Sequence, residues 1–420
     1  MKKFIAIIVA TTLIHLLSVR PAYAESITLV DKGLTQALKQ HSYPLNFENQ
    51  QFSGKAWDML LHEAKASQFF LLGEEHGIAE NPKLAADLFK ALIPSGYSRF
   101  GIEVSPQMAT LLDKTSLDGL EALTNLYKEP ATRSAFFGMK EEAEMLAEIR
   151  QTMPNKEPVF WGFDYEVLGD RYLLSLLEAA PHPAEVAPAL AKLRSHSNKS
   201  WLAYEETKNP QHIFSFAGNP ELVKSVRLAW PSADDNTEWT LNSLEETLAI
   251  NSLWSKGQGW ESNEKRASLL RSNFLKYWHK AKNQPKVLVK MGATHVIRGR
   301  SMIDVFDLGA LLPEVAAIHG GKTFHLLVLP GKSSATAMLN PTTMLYQTAT
   351  QQWPGLEALL DSVPADKFTL IDMKPLRPLA NRDKQKISSE LLQVIYGFDA
   401  VLVMSGSTAS ANLVSVPASQ

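Results

Sequence analysis

Phe69-Phe70-Leu71-Leu72-Gly73-Glu74-Glu75-His76-Gly77 decides how the rest of the 420-residue chain is read. Four apolar residues closed by a glycine are the pattern of a strand covered on both faces, and the run stops abruptly in two carboxylates and an imidazole. Residues 80–93 follow with apolar side chains at helical spacing, giving a strand, a turn and a helix. In an open α/β sheet the crevice beyond the carboxyl ends of the strands receives ligands. A Glu-Glu-His triplet at that point is placed for chemistry, although the same residues also suit an ordinary polar turn.

The arrangement recurs along the chain. Residues 99–104 form a second short strand finishing at Glu103, residues 158–166 a third finishing in Asp164 and Glu166, and residues 286–292 a fourth that breaks into Ala293-Thr294-His295. Later strands are expected at 323–329, 368–373 and 398–404. Alternation with helical stretches at 56–66, 108–126 and 139–153 implies parallel pairing with right-handed crossovers. The fold class expected is therefore α/β, a mostly parallel sheet flanked by helices. Residues 168–282 change to helical periodicity and read as a large helical insertion or cap between two parts of the α/β core, 25–167 and 283–420. The aromatic loop from Trp254 to Trp260 is a candidate lid or an ordinary packed surface loop.

Lys2 and Lys3 precede an apolar run at 4–17, and Ala22-Tyr23-Ala24 offers small residues for cleavage, so residues 1–24 read as a secretory signal peptide. A secreted or periplasmic protein with no membrane span after cleavage is expected. Loss of Lys2, Lys3 and Arg20 moves the formal charge from −2 to −5, and such an acidic chain is a poor partner for nucleic acid. There is no cysteine, which excludes disulfides, thiolate ligands, a cysteine nucleophile and a lipoprotein anchor. Gly331-Lys332-Ser333 lacks the earlier glycine of a phosphate-binding loop, since position 326 is Leu. His62-Glu63 lacks the second histidine of a zinc-protease helix, and no Gly-x-Ser-x-Gly elbow or dinucleotide fingerprint occurs.

With parallel strands, Glu74, Glu75, His76, Glu103, Asp164, Glu166 and His295 converge on one crevice. A carboxylate on one nitrogen of an imidazole fixes its tautomer and raises its basicity, which suits proton abstraction from water. The expected catalytic set is Glu74, His76, Glu103 and His295, with His76 as general base supported by Glu74 or Glu103. His295 is left to bind an oxyanion or protonate the leaving group. Glu75, Asp164, Arg266, Lys290 and Arg298 are candidates for binding the substrate, a small molecule or a peptide. Each has a plainer reading as well: Glu103 accepting backbone N–H groups, Asp164 as a helix cap, Lys290 pairing with an acid, Arg266 on the surface. His319 and His325 have no motif around them and read as structural. The leading reading needs no cofactor. In the alternatives, His76, Glu103 and His295 hold a divalent metal that activates water, or a His or Tyr ligates haem.

Gly73-Glu74-Glu75-His76, the strand end at Glu103, Gly162-Phe163-Asp164, the helix carrying Arg266, Gly292-Ala293-Thr294-His295 and residues 398–403 together resemble the superfamily of erythromycin esterases, ChaN haem-binding lipoproteins and Tiki metalloproteases. The resemblance covers most of the chain in short patches and implies this α/β fold with an esterase, haem-binding or metallopeptidase activity. Erythromycin esterases resemble Gly-Glu-x-x-His-Gly at the first tip and carry a further histidine near the position of Gly292. The shorter spacing of Glu74 and His76 is more similar to the ChaN pattern, whereas Gly77 and the Arg266 helix are more similar to the esterases.

Overall fold

The computed structural model describes residues 32–156, 158–281 and 283–414. The leader expected at 1–24 and the chain end from 415 lie outside the described residues. In chain order the strands are β1 (Ser42–Glu48), β2 (Gln51–Ser53), β3 (Phe69–Glu74), β4 (Tyr97–Ile102), β5 (Phe160–Gly162), β6 (Lys286–Gly292), β7 (Thr323–Pro330), β8 (Thr336–Asn340), β9 (Leu345–Ala349), β10 (Phe368–Asp372) and β11 (Ala400–Met404). Among the described residues, nine of these make one sheet ordered β2-β1-β10-β11-β7-β3-β6-β4-β5, and β8 pairs with β9 as a separate hairpin. The strands from β11 to β5 run parallel. β10, β1 and β2 add an antiparallel edge.

Every residue of β3 is buried, as its unbroken apolar run requires of a central parallel strand. Side chains alternate between faces. Phe70 and Leu72 join the apolar layer of Leu84, Leu88 and Phe89, while Phe69 and Leu71 join that of Leu270, Phe274 and Leu312. Right-handed crossovers explain the two layers. The steps β3 to β4 and β4 to β5 move one way along the sheet and put helices Glu80–Leu92 and Lys140–Thr152 on one face. The steps β5 to β6 and β6 to β7 move back, and put helices Gly259–Lys280 and Leu308–Ile318 on the other. Truncating Phe274, buried on that face, to alanine is worth about 3–5 kcal/mol.

Within the segment 168–282, helices Asp170–Ala179, Ala187–Thr207, Pro220–Ala229 and Asp235–Ser255 enclose an apolar cluster of their own, with Leu174, Leu193, Trp201 and Trp230. Helix Gly259–Lys280 runs back along Asp235–Ser255, with Trp239 against Tyr277, and packs its Phe274, Tyr277 and Trp278 on the sheet side. Only Lys256–Gln258 separates the two long helices, so the aromatic stretch Trp254–Trp260 consists mostly of helix ends. No helix among the described residues is long and apolar enough to cross a membrane.

Candidate active site

The order β3-β6-β4-β5 makes the four chemically loaded strand ends contiguous. Glu74 closes β3, with His76 two residues on. Glu103 lies one residue past β4 and Asp164 two past β5. His295 sits in the single helical turn Ala293–Val296 after β6. Close packing of these ends depends on absent side chains. A Cβ on Gly73 would come 2.6 Å from a Val296 methyl, and one on Gly162 would meet the Ser105 carbonyl oxygen at 2.4 Å.

Glu103 is the hub. Its Oε1 accepts from Arg266 Nη2 at 2.7 Å, and its Oε2 accepts from the Gly292 backbone N–H at 2.6 Å. The two imidazoles face it through their Nε2 atoms, His76 at 3.6 Å from Oε2 and His295 at 3.5 Å from Oε1. Burial pushes this carboxyl up, but His76, His295 and Arg266 outweigh it and hold Glu103 below the ordinary carboxylate range. Arg266, a substrate-binding candidate whose plainer reading was a place on the surface, is buried. It also grips Asp164, whose Oδ1 lies 3.0 Å from its Nε, and its guanidinium lies over the Tyr165 ring.

Each imidazole is pinned at its other nitrogen. His76 Nδ1 meets Glu74 Oε1 at 3.0 Å, and His295 Nδ1 meets Asp307 Oδ2 at 2.7 Å. Glu74 also accepts from Lys290 Nζ at 2.6 Å and from the Asn81 amide. Burial raises its carboxyl, yet the charges of Lys290 and His76 and their hydrogen bonds bring it down to about 2. Burial works against a charged His76, but the carboxylates of Glu103 and Glu74 prevail and lift it to about 9. At neutral pH its resting form is the imidazolium. Lys290 Nζ bonds Glu142 Oε1 at 2.7 Å as well, so Glu74 and Glu142 share one buried ammonium.

Glu74, His76, Glu103, Glu142 and Lys290, with Phe136, Phe137 and Met139, line a pocket of about 10 Å³, room for about one water molecule. The Phe136 ring lies on His76 with centroids 4.9 Å apart. Phe137 holds a left-handed φ of 63°, a backbone conformation rare for an aromatic residue and found where the surroundings impose it. Tyr127 donates to the Phe136 carbonyl at 2.8 Å and Tyr346 to that of Ala135 at 2.9 Å. Gly292 borders the same space: a Cβ there would lie 3.2 Å from His76 Nε2 and 3.5 Å from Glu103 Oε2.

Two sequence candidates turn elsewhere. Glu75 bonds the Gln351 amide, and burial pushes its carboxyl up to about 7. Arg298 reaches Asp399 at 2.7 Å together with Arg377 at 3.0 Å, away from the imidazoles. Glu166 takes the Ser105 hydroxyl at 2.9 Å and the Gly169 N–H at 3.2 Å, and burial lifts it to about 7. Three participants were missed on sequence. Asp307 had a legible signal, since an Asp before the apolar run from Leu308 is a helix-cap pattern, and it does cap Leu308 N–H at 2.7 Å. Glu142, one of two acids in the first turn of helix Lys140–Thr152, and Asn81 had no distinguishing signal.

A metal held by His76, Glu103 and His295 does not fit this arrangement. Both Glu103 oxygens already accept short hydrogen bonds, one from a guanidinium that repels a cation, and among the described residues no group of three or more His, Asp or Glu side chains is placed to hold a metal ion.

No family model and no curated protein matches the chain. Solved structures of similar shape include a Bacillus cereus protein (TM-score 0.55, 14% identity, covering 90% of this chain and 98% of its own). A succinoglycan biosynthesis protein aligns at TM-score 0.59 and 15% identity, over 91% of this chain and 98% of its own. The EreC mutant of erythromycin esterase, in its open conformation, aligns at TM-score 0.61 and 13% identity, over 89% and 99%. Likeness at such identities speaks to fold, and in fold the chain is erythromycin-esterase-like, as its strand-tip motifs implied.

Proposed function

We propose that the protein is an exported hydrolase in which water attacks an ester or amide carbonyl. The observation that carries this reading is a pair of imidazoles, each pinned at Nδ1 by a carboxylate and each presenting Nε2 towards Glu103, beside a pocket of about one water. Pinning Nδ1 leaves Nε2 as the working nitrogen. His76 lines the pocket and takes the proton of the attacking water. His295, in the imidazolium form that carries hydrogen on both ring nitrogens, donates from Nε2 to the oxyanion that forms on the carbonyl. Arg266 holds Glu103 and Asp164 in place and keeps Glu103 charged, and Lys290 keeps Glu74 charged and in place. The substrate is a small molecule or peptide that enters where Phe136 and Phe137 now cover His76. An esterase fold among the structural neighbours supports an ester as the bond cleaved.

His76 acts as a base only in its neutral form, which grows as pH rises towards about 9. Hydrolysis by the wild-type protein accordingly climbs across the range from 7 to 9. His76→Ala and His295→Ala each lower kcat/KM by about 10²–10⁴-fold while the thermal melt stays cooperative; wild-type rates in either variant would refute the assignment. The leader at 1–24 supports export, and the amino terminus of protein recovered from the periplasm is expected at Glu25.

A further inference from the structure

We propose that Glu142 is the proton donor of this reaction, its Oε2 protonating the leaving atom as the tetrahedral intermediate collapses. The inference rests on the hydrolytic reading of His76 and adds a catalytic residue to it.

Glu142 sits in the first turn of helix Lys140–Thr152 with its side chain only 4% exposed. Oε1 accepts from Lys290, whereas Oε2 is buried with no hydrogen-bond partner in the protein. The same side chain lines the one-water pocket with His76 and Glu103. A bare carboxylate oxygen in such a place is expensive, because burial removes its water and nothing replaces it. A proton on Oε2 removes the charge and turns the orphan acceptor into a donor available to the pocket.

Competition with Glu74 decides which of the two acids keeps its proton. Glu74 has Lys290, His76 and Asn81 as donors, while Glu142 has Lys290 alone. The charged or titratable groups acting on Glu142 are Lys290, Glu74 and His76, with the phenols of Tyr127 and Tyr346 beyond them. Burial pushes the Glu142 carboxyl up and the negative Glu74 adds to this, against the pull of Lys290. Two acids whose surroundings drive them apart are a recurrent way of building a proton acceptor and a proton donor into one site.

The step balances. The water oxygen bonds to the carbonyl carbon, the carbonyl π pair moves onto oxygen, and the water proton goes to His76 Nε2. On collapse the bond from carbon to the leaving oxygen or nitrogen breaks, its electron pair stays on the leaving atom, and that atom takes the proton from Glu142 Oε2. His76 then returns its proton to Glu142 across the pocket, and both groups are reset.

The test compares two esters of one acid, a p-nitrophenyl ester whose phenolate departs unaided and a simple alkyl ester whose alkoxide needs a proton. Glu142→Gln is expected to widen the rate ratio between them about 100-fold against the alkyl ester, and Glu142→Asp to recover part of it. An unchanged ratio in a folded Glu142→Gln protein would overturn the proposal and leave the role of His76 standing. If Glu142→Gln does not fold, Glu142→Asp is run over a series of leaving groups. A steeper dependence on leaving-group basicity than wild type is then expected, and an unchanged slope overturns the proposal. Wild-type protein inactive on both esters would retire the hydrolytic reading itself, and this one with it.

Discussion

Among the described residues, two buried clusters of charge contain histidines, and they differ in what they leave free. Around Asp399, Arg298, Arg377 and the His325 N–H fill the carboxylate. Burial is outweighed there by Arg298, bringing Asp399 to about 2. His325 itself is satisfied at both nitrogens, with the Val296 carbonyl at 2.7 Å from Nδ1 and the Thr323 hydroxyl at 2.9 Å from Nε2, and burial drives its pKa down to about 3. Around Glu103, two imidazoles stop just short of hydrogen-bond contact and a neighbouring carboxyl oxygen has no partner. A closed cluster holds a fold together. An incomplete one has protons and lone pairs left to react, as perturbed groups at functional sites do.

Breaking each cluster should expose this difference, and the largest effect is expected at Arg266. Arg266→Leu strands Glu103 and Asp164 without their cation and is expected to lower stability by about 3–5 kcal/mol, read from urea unfolding; a loss below 1 kcal/mol would mean the centre tolerates bare carboxylates. Asp307→Asn unpins His295. It is expected to reduce kcat about 100-fold with a thermal melt near wild type, whereas an unchanged kcat would remove His295 from the reaction.

The two histidines should next show opposite pH dependence. The fold raises His76 above its ordinary value, so its stabilising contribution is complete below pH 6.5 and disappears as pH climbs towards 9. The fold depresses His325, so that contribution is complete above 6.5 and is lost as pH falls towards 3. The stability gap between wild type and His76→Gln is therefore expected to close on the alkaline side, and that for His325→Gln on the acid side. Gaps that close in the same direction would erase the distinction. The smallest effect is expected at Arg298, whose side chain is 31% exposed and whose partner keeps Arg377. Arg298→Ala should lower stability by about 1 kcal/mol and leave kcat/KM as it is; a raised KM would return Arg298 to substrate binding.

Much of this could be read from residues, for a physical reason. Central parallel strands are buried on both faces, so β3, β4, β6, β7 and β11 appear as apolar runs, and their direction follows from the helices between them. β1 has largely half-buried and exposed positions, and its hairpin with β2 left no such trace. Glu74, His76, Glu103, Asp164 and His295 come together because strand ends are fixed by topology, while Lys290 joins them from within β6 and Arg266 from helix Gly259–Lys280. Arg298 and Glu75 show the limit of that logic, since a side chain one or three positions along can leave on the other side. Glu142 reaches the pocket only through packing of its helix on the sheet, which its local sequence does not encode.

Gly292 carries one more consequence. Its φ of −50° suits any L-residue, so the backbone does not require glycine there. What glycine leaves is a gap the size of a methyl group between an imidazole and the carboxylate that holds its charge. Filling it with alanine would wedge His76 and Glu103 apart by a few tenths of an ångström and weaken the hold on that proton. Gly292→Ala is therefore expected to lower the pKa of His76 and, if His76 is the base of the proposed hydrolysis, to move the rise of rate with pH back towards neutrality.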